Sequence, residues 1–382
     1  MRALITGARL PMARAIAKAL KMQNIEVIVA DSLDYPFTRF SKYADDYIKL
    51  PAPALDLQGF YQTVIKTIRE RGIDLVIPVN EEIFFLSRIK EDIEKTARLF
   101  CGTATQLETL HSKWHYRSLV EGCGAEIPKS RYVKDPSSLL HALNELGNCI
   151  IKPEFSRGSF RTVLSPSWEQ ATLLSIEESN PLIVQKLISG TEFCTYSVFN
   201  NGKLLAHACY NPLYRIGKGS GIYFEPVHHL AILDFTRAFG LKNSFTGQVA
   251  FDIIEDNTKK LYVIECNPRA TAGIHLMENF QDWGTVFLGN ETTFYDGATS
   301  PPRMAGLAVF FLCAADEFRK GRLKEFTKRF WRARDVLFDW RDPLPFISQI
   351  VASVELLKIA GKNNKTVAEI YNFGLEWDGH KP

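Results

Sequence analysis

The sequence predicts a protein of mixed α/β and α+β class, with an N-terminal open parallel sheet, a central mixed unit and a helical C-terminal extension. Strand patterns alternate with amphipathic helix patterns at the start of the chain, and this alternation fades near residue 103. Short apolar segments separated by turns follow, which is typical of antiparallel sheets. From about residue 301 the chain becomes helical, aromatic and basic. We therefore predict three units, at 1–103, 104–300 and 301–382.

The N-terminal unit begins with a β-α-β pattern. The apolar segments Arg2–Thr6 and Ile25–Ala30 enclose a stretch with helical spacing, and a third apolar segment, Ile73–Val79, follows a second helix. This order is typical of an open parallel sheet. Asn80 and Glu81 come directly after the third strand. Open α/β sheets bind ligands at the carboxyl ends of their strands, so we expect these two side chains to reach a cleft.

Composition restricts the class of protein. Of 382 residues, 46% are hydrophobic and 23% charged, as in ordinary globular proteins. The net charge of +3 gives no reason to expect nucleic acid. Seven cysteines without a C-x-x-C pair favour a reducing compartment over a disulfide framework or a thiolate zinc site. The longest apolar run, Ala305–Ala315, is too short to span a bilayer. We expect a soluble cytoplasmic protein without a transmembrane segment.

The strongest chemical pattern is a predicted hairpin formed by Gly247–Ile254 and Leu261–Asn267. If the tight turn lies in the four residues before Leu261, positions whose numbers sum to 517 face each other, and Asp252 lies opposite Glu265. Asn267 shares a strand face with Glu265. Two facing carboxylates in apolar strands are costly unless a cation compensates them. Two carboxylates and an amide suit Mg²⁺, so we predict a metal site here; carboxylates that face solvent are the alternative.

The end of this hairpin, Glu265-Cys266-Asn267-Pro268-Arg269, resembles the E-x-N-P-R signature of the ATP-grasp superfamily, especially the branch of the carbamoyl phosphate synthase large chain and biotin carboxylase. The resemblance spans roughly residues 1–295. It implies an ATP-grasp core of two α+β subdomains, with a lid subdomain at about 115–187, behind a Rossmann-like domain. It also implies a ligase that uses ATP with Mg²⁺ or Mn²⁺ to activate a small carboxylate as an acyl phosphate, which an amine or similar nucleophile attacks.

The resemblance gives roles to further residues, in the family's order along the chain. Lys113, on a helix predicted at 106–122, and Lys152, at the end of a strand, would contact the phosphates under a lid at Phe155–Ser159. Many relatives begin the adenine-binding hinge with glutamate, whereas this chain has Gln185. Arg269 would stabilise charge on the transferred phosphoryl group. The residues implied for the nucleotide are Lys113, Lys152, Ser156, Gln185, Lys186, Ile188 and Glu192.

The acceptor side is less defined. Arg215 and the glycine-rich loop Gly217–Gly221 lie between the hinge and the hairpin, where relatives face the γ-phosphate and the carboxylate substrate. Arg215 would anchor a carboxylate by a bidentate pair and the loop would close over it, the alternative being a surface loop with a structural arginine. His228 and His229 are adjacent and point oppositely in a strand, which argues against a metal site of two histidines.

Two other functional classes stay open. The first β-α-β unit ends in Asp31, as in nicotinamide-dependent oxidoreductases, but its first loop has the single Gly7 where G-x-G-x-x-G is needed. The second class is a regulatory protein that binds ATP on the same fold without turnover. Intact phosphate and metal positions favour an enzyme over this regulator.

The C-terminal extension has its own pattern. Phe318–Arg334 contains eight lysines and arginines and one glutamate, and Leu323, Phe326 and Phe330 recur at helical spacing. We expect this stripe to pack on the core while the basic residues face water; an anionic membrane surface or an acidic partner is the alternative. The apolar helix predicted at Phe346–Ala360 is expected to need a neighbour, for which a homodimer is one candidate.

Overall fold

A computed structural model describes residues 1–156, 161–215, 221–289, 292–363, 372–377 and 379. The first unit contains β1 (Arg2–Thr6), α1 (Pro11–Lys21), β2 (Glu26–Asp31), β3 (Asp46–Lys49), α2 (Leu57–Arg71), β4 (Leu75–Ile77), α3 (Glu82–Leu86), α4 (Lys90–Glu94) and β5 (Arg98–Leu99). Its strands form one sheet in the order β3-β2-β1-β4-β5, and every pair is parallel. This confirms the predicted α/β class of the N-terminal unit.

Two short helices, α5 (Ala104–His111) and α6 (Arg117–Val120), follow the parallel sheet. The prediction of one helix at 106–122 is therefore wrong. The chain leaves helical geometry at Ser112, whose hydroxyl accepts hydrogen bonds from the backbone N–H groups of Trp114 and His115 and donates to Glu154. A serine side chain that competes for backbone hydrogen bonds breaks a helix in this way. Lys113 consequently lies in the break rather than on a helix. Its backbone N–H donates to the backbone carbonyl of Glu154.

A small antiparallel sheet forms the next layer. Its elements are β6 (Ser130–Val133), α7 (Pro136–Leu146), β7 (Cys149–Pro153), β8 (Val163–Leu164), α8 (Trp168–Thr172) and β9 (Leu182–Lys186). The strand order is β6-β9-β7-β8. The sheet and α7 enclose a separate apolar core that includes Val133, Leu139 and Ile151. We call this sheet with α7 the lid, after the lid subdomain that the resemblance implies at about 115–187.

The largest sheet follows. Its first elements are β10 (Gly190–Asn200), β11 (Lys203–Pro212), β12 (Tyr223–Pro226), α9 (Leu230–Asn243), β13 (Gly247–Asp256) and β14 (Leu261–Asn267). Asn201 and Gly202, with φ of 47° and 83°, turn β10 into β11, since an Asn-Gly pair readily adopts the positive φ that a tight hairpin needs. Two apolar cores join this sheet to the parallel sheet. One core includes both Leu4 and Phe251, and the other includes both Ile5 and Tyr196.

The hairpin β13–β14 has the predicted register at its functional end. Ala250 faces Asn267 and Asp252 faces Glu265, as the sum of 517 requires. On the turn side the register changes by one, because Ile253 faces Val263 and Ile264 is an extra residue. This β-bulge corrects the prediction that one register runs to the turn, and it lies next to the two carboxylates.

The chain is completed by β15 (Tyr295–Asp296), β16 (Arg303–Met304), α10 (Gly306–Arg319), α11 (Leu323–Arg332), β17 (Arg334–Asp335) and α12 (Leu344–Asn363). Short 3₁₀ helices occur at Phe37–Phe40, Ser87–Ile89, Ala272–Asn279, Trp283–Leu288 and Gly297–Thr299. β16 and β17 extend the large sheet beyond β12, and β15 pairs with β11. The C-terminal segment is thus helical with small strand additions, in agreement with the predicted helical extension.

The packing expected for α11 holds only in part. Phe326 is buried in a small core with Tyr214 and Met304, and Phe330 is half-buried against it. Leu323 is 45% exposed and Trp331 is 80% exposed, so the apolar residues of α11 are not all covered. Within the described part of the chain, α12 is the one helix long and apolar enough to cross a membrane, with 28% of its apolar window buried. The apolar helix predicted at Phe346–Ala360 lies within α12. Its length relative to a bilayer was not predicted, because only uninterrupted apolar runs were compared with the bilayer thickness.

The segment 372–377 returns to the N-terminal unit. Trp377 stacks on Phe84 with ring centroids 4.8 Å apart and meets Phe155 edge-on at 5.2 Å. The backbone N–H of Trp377 donates to a Glu81 carboxylate oxygen at 3.1 Å. The Asn80 side-chain amide donates to Asn372 Oδ1 at the same distance. The end of the described chain is therefore fixed against the carboxyl edge of the parallel sheet.

Deleting residues 316–382 should expose apolar core and make the protein insoluble or polydisperse. The deletion removes Phe326 and Trp377, which are both buried, and uncovers Tyr214 and Phe84. Sedimentation velocity of the truncated chain beside the full chain measures the effect. A truncated chain that stays monomeric with an unchanged melting temperature would contradict the expectation.

Stability should fall on acidification because of His207. Burial lowers the pKa of this side chain to about 4, below the usual 6.5. The unfolded chain then binds the extra proton between these values, so the contribution is complete above pH 6.5 and lost as the pH falls to 4, at most about 3 kcal/mol. Urea unfolding at several pH values should give a flatter profile for His207→Gln than for the exposed control His115→Gln. Parallel profiles for the two variants would contradict this assignment.

Candidate active site

The two carboxylates of the hairpin form the centre of the site. Asp252 faces Glu265 across the strand pair and also faces Cys194 on β10. Burial, and secondly the Glu265 carboxylate, raise the pKa of Asp252 to about 7. The pair therefore holds its full negative charge poorly by itself. A cation beside both groups would restore the ionised form and recover part of the cost of burial.

Lys152 reaches the hairpin from β7 of the lid. Its Nζ donates to Gln185 Oε1 at 3.1 Å and to the Ile264 carbonyl at 2.9 Å. Ile264 is the bulge residue, so the register shift presents a carbonyl to the ammonium. Burial lowers the pKa of Lys152 to about 8, while the Glu265 carboxylate raises it. The side chain is thus a buried ammonium with two neutral hydrogen-bond acceptors, near the charges of Glu265, Lys113 and Asp252.

Lys113 approaches the same carboxylate from the break between α5 and α6. Its Nζ donates to the Ser156 carbonyl at 2.6 Å and lies 3.8 Å from Glu265 Oε1. The side chain is buried. Lys113, Lys152 and Glu265, which are far apart in sequence, are therefore neighbours in space. The resemblance implied roles for all three in one phosphate and metal site.

Arg269 joins the hairpin to the parallel sheet. Its Nη2 donates to Asn267 Oδ1 at 3.1 Å, and its Nε lies 3.9 Å from Glu81 Oε1. Both Arg269 and Glu81 are buried. The expectation that Glu81 reaches the cleft from the first unit agrees with this contact. Asn80 is buried too, but it faces Asn372 of the C-terminal segment.

The hinge residues lie along β9 and the strand after it. Gln185 is buried between Ile150 on β7 and Ser130 on β6, whereas Lys186 is exposed at the strand end. Ile188 is half-buried in the link to β10. The Gln185 Nε2 is buried without a hydrogen-bond partner in the described structure.

Glu192 and Arg215 form an ion pair, with Arg215 Nη2 2.5 Å from Glu192 Oε1. The resemblance implied that Glu192 binds the nucleotide, and Arg215 was expected to anchor a substrate carboxylate. In this structure the two side chains bind each other. The loop Gly217–Gly221 lies outside the described residues except for its last glycine, and so does the lid turn beyond Ser156 up to residue 160.

The histidines have other neighbours. His228 Nδ1 lies 3.4 Å from Asp296 and His229 Nε2 lies 3.3 Å from Glu255. In the part of the chain that the structure describes, no three His, Cys, Asp or Glu side chains are grouped as metal ligands. A cation at the hairpin must therefore take an amide such as Asn267, or ligands from outside the protein, beside the two carboxylates.

Sequence reasoning missed two residues that support the site. Tyr116 is fully buried and its hydroxyl donates to the Val263 carbonyl at 2.7 Å, next to the bulge. Glu154 accepts hydrogen bonds from the Tyr132 and Ser112 hydroxyls and so fixes the chain around Lys113. A signal existed for Glu154, because a carboxylate two positions after Lys152 at the end of an apolar strand needs a partner.

Part of the chain matches a known domain family. Residues 110–273 match the sequence profile of the family described as "ATP-grasp domain", and this range includes both lysines, the predicted hinge and the hairpin β13–β14. This confirms the resemblance found on the E-x-N-P-R segment. No curated protein matches the chain significantly.

Solved structures share the fold over most of the chain. One is N5-carboxyaminoimidazole synthetase from Staphylococcus aureus complexed with ADP, with a TM-score of 0.62 and 15% identity over 84% of this chain and 86% of that chain. Another is the biotin carboxylase domain of Hydrogenobacter thermophilus 2-oxoglutarate carboxylase. Its TM-score is 0.63, with 12% identity over 78% of this chain and 73% of that chain. A third is L-amino acid ligase from Bacillus licheniformis, with a TM-score of 0.57 and 16% identity over 77% of this chain and 75% of that chain. At these identities the likeness establishes the fold.

Replacing Lys152 with methionine should weaken nucleotide binding. The substitution keeps an apolar stem and removes the ammonium, so a charge-assisted contact worth about 2 to 3 kcal/mol would be lost. Calorimetric titration with MgADP measures the change, and Lys129→Met, which removes an exposed lysine paired with Glu145, is the matched control. Equal affinities for the two variants would remove Lys152 from the phosphate site.

Proposed function

We propose that this protein is an ATP- and Mg²⁺-dependent ligase that joins a small carboxylate to an amine or similar nucleophile. The observation that carries the proposal is the meeting of Lys113 and Lys152 with Glu265 and Asp252. Two buried ammonium groups beside two carboxylates make a site that suits a polyphosphate with its cation, because each ligand charge meets an opposite one. The fold, shared with enzymes whose structures hold ADP or MgADP, agrees with this assignment.

The hairpin fits a divalent cation by the chemistry of its donors. Asp252, Glu265 and Asn267 supply oxygen ligands. Burial and the Glu265 carboxylate raise the pKa of Asp252, so a cation at the hairpin would favour its ionised form. Mg²⁺ keeps several open positions for phosphate oxygens and water when it binds one or two carboxylates. Mn²⁺ takes the same ligand types. Bound there, the cation would neutralise phosphate charge.

The nucleotide would lie between the lid and the large sheet. Lys113 and Lys152 would hold phosphate oxygens, and the backbone from Gln185 to Ile188 would contact adenine, with the Gln185 amide available to a polar ring atom. Glu192 would bind ribose hydroxyls only after Arg215 leaves it. Arg215 would then be free to take the carboxylate substrate. The ion pair between these residues thus occupies the polar groups of both positions in this structure.

Arg269 has the position to stabilise the transferring phosphoryl group. Asn267 and Glu81 hold its guanidinium from two sides, so the group is oriented before substrate binds. In the reaction we propose, the carboxylate takes the γ-phosphoryl group, ADP leaves, and the nucleophile then displaces phosphate. The protein's part is to orient the reactants and to neutralise the charge that develops.

The alternatives receive less support. A dinucleotide would need Asp31 for its ribose, yet this carboxylate is buried and accepts hydrogen bonds at 2.8 Å from both the Nε and the backbone N–H of Arg9. A regulator that binds ATP without turnover would not need an oriented Arg269 beside the metal ligands. The seven cysteines are all unpaired, which agrees with the cytoplasm as the place of action.

Glu265→Gln should abolish the release of ADP while the fold is kept. The variant removes the negative charge of one proposed metal ligand and leaves a side chain of the same size, so the melting temperature without nucleotide should change little. The assay supplies MgATP with amino acids, dicarboxylates and bicarbonate, singly and in pairs, and measures ADP. Glu126→Gln, which alters an exposed carboxylate near the same strand, is the control.

The outcomes separate the candidate functions. Release of ADP that depends on an acceptor pair and is lost in Glu265→Gln supports the ligase. Binding of MgATP without turnover under any pair would favour the regulator. Wild-type turnover by Glu265→Gln would contradict the metal assignment.

A further inference from the structure

The outward face of α12 is apolar along most of its length. The inward side chains, among them Ser348, Ala352 and Leu356, are buried at helical spacing. The opposite side exposes six aliphatic side chains, and Ile350 is 70% exposed. These six are Leu344, Ile347, Ile350, Val351, Val354 and Leu357. Soluble monomers rarely expose so continuous an apolar surface, so this face is expected to have an occupant.

A second exposed apolar surface lies on α10 and α11. Phe310 lies 5.4 Å from Phe311 and 6.1 Å from Phe330, which in turn lies 5.8 Å from Trp331, between ring centroids. Phe311 is 73% exposed. Phe318, two turns further along α10, is also exposed. The aromatic cluster is thus continuous across both helices and open to solvent.

This aromatic cluster is surrounded by positive charge. Residues 306–334 contain eight lysines and arginines against three acidic residues, an excess larger than the net charge of +3 of the whole chain. Lys324, Lys328 and Trp331 recur at intervals of four and three, so they share one face of α11. Neither lysine forms an ion pair with any residue that the structure describes.

We propose that the C-terminal extension binds an anionic lipid surface, with the aromatic cluster and the outward face of α12 at the level of the headgroups. Tryptophan and phenylalanine favour this interface, and neighbouring lysines attract anionic headgroups while their stems lie along the apolar side chains. The charge argues against a second copy of the chain as the occupant. A two-fold contact would place the same cationic surface against itself.

The structure also indicates how α12 would lie. The Glu355 carboxylate accepts hydrogen bonds from the backbone N–H groups of Asp34 and Tyr35 at 2.7 and 2.9 Å. Leu356 and Ala360 pack on Leu33 of the first unit. A helix bound to the protein along one side cannot cross the bilayer without breaking these contacts. We therefore infer that it lies in the plane of the membrane surface.

The test is co-sedimentation of the full chain with vesicles. Vesicles of phosphatidylcholine alone are compared with vesicles that contain about one third phosphatidylglycerol, at low and high salt. We expect binding to the anionic vesicles only, weakened by salt. Lys324→Gln with Lys328→Gln should lower that binding about tenfold or more, since each lysine near the surface contributes to the attraction.

Two further variants test the apolar part. Phe311→Ser with Trp331→Ser, and separately Ile350→Ser with Val354→Ser, should reduce binding without lowering the melting temperature, since all four side chains are largely exposed. The controls are Lys66→Gln and Leu241→Ser, an exposed lysine and an exposed leucine on other surfaces.

Two results would overturn the proposal. One is equal binding, or none, to both kinds of vesicle. The other is a dimer in light scattering that the serine variants dissociate, together with the absence of vesicle binding, which would make the surface an interface between two copies.

Discussion

The pairing of Asp252 with Glu265 is the constraint on which the site depends. Two carboxylates on facing strands are unfavourable, and burial adds to the cost. Two ammonium groups partly compensate this charge. Lys113, from the break between α5 and α6, and Lys152, from the lid, both lie near Glu265. The β-bulge at Ile264 contributes the carbonyl that holds Lys152. The lid, the hairpin and the helix break are thus linked by one electrostatic requirement.

The sequence predicted most of this centre because strand pairing follows from periodicity. The position of Asp252 opposite Glu265 required only two apolar segments and a tight turn. The bulge at Ile264 could not be read, since a register shift depends on how the strand edge meets the lid. Lys113 was placed on a helix because the apolar spacing continues past it. Helical spacing does not reveal that the Ser112 hydroxyl, held by Glu154, accepts backbone N–H groups that would otherwise bind carbonyls within a continuous helix.

The C-terminal extension shows a different limit. Helical spacing identified Leu323, Phe326 and Phe330 as one apolar stripe. It could not predict which of these side chains are buried, because burial depends on the shape of the large sheet. Phe326 fills a gap beside Tyr214, and no comparable gap takes Trp331. The fold class and the order of the units were predictable from local patterns. The way in which 372–377 returns to the first sheet was not, because that contact joins residues almost three hundred positions apart.

Trp377 gives the protein an internal optical reporter. Its indole stacks on Phe84 and touches Phe155, which directly precedes Ser156, the residue whose carbonyl holds Lys113. A ligand that draws Lys113 away from Ser156 would shift Phe155 and change the environment of the indole. Trp377 is one of six tryptophans, and a change in its emission on addition of nucleotide, followed by stopped flow, would report such a movement in the unlabelled chain.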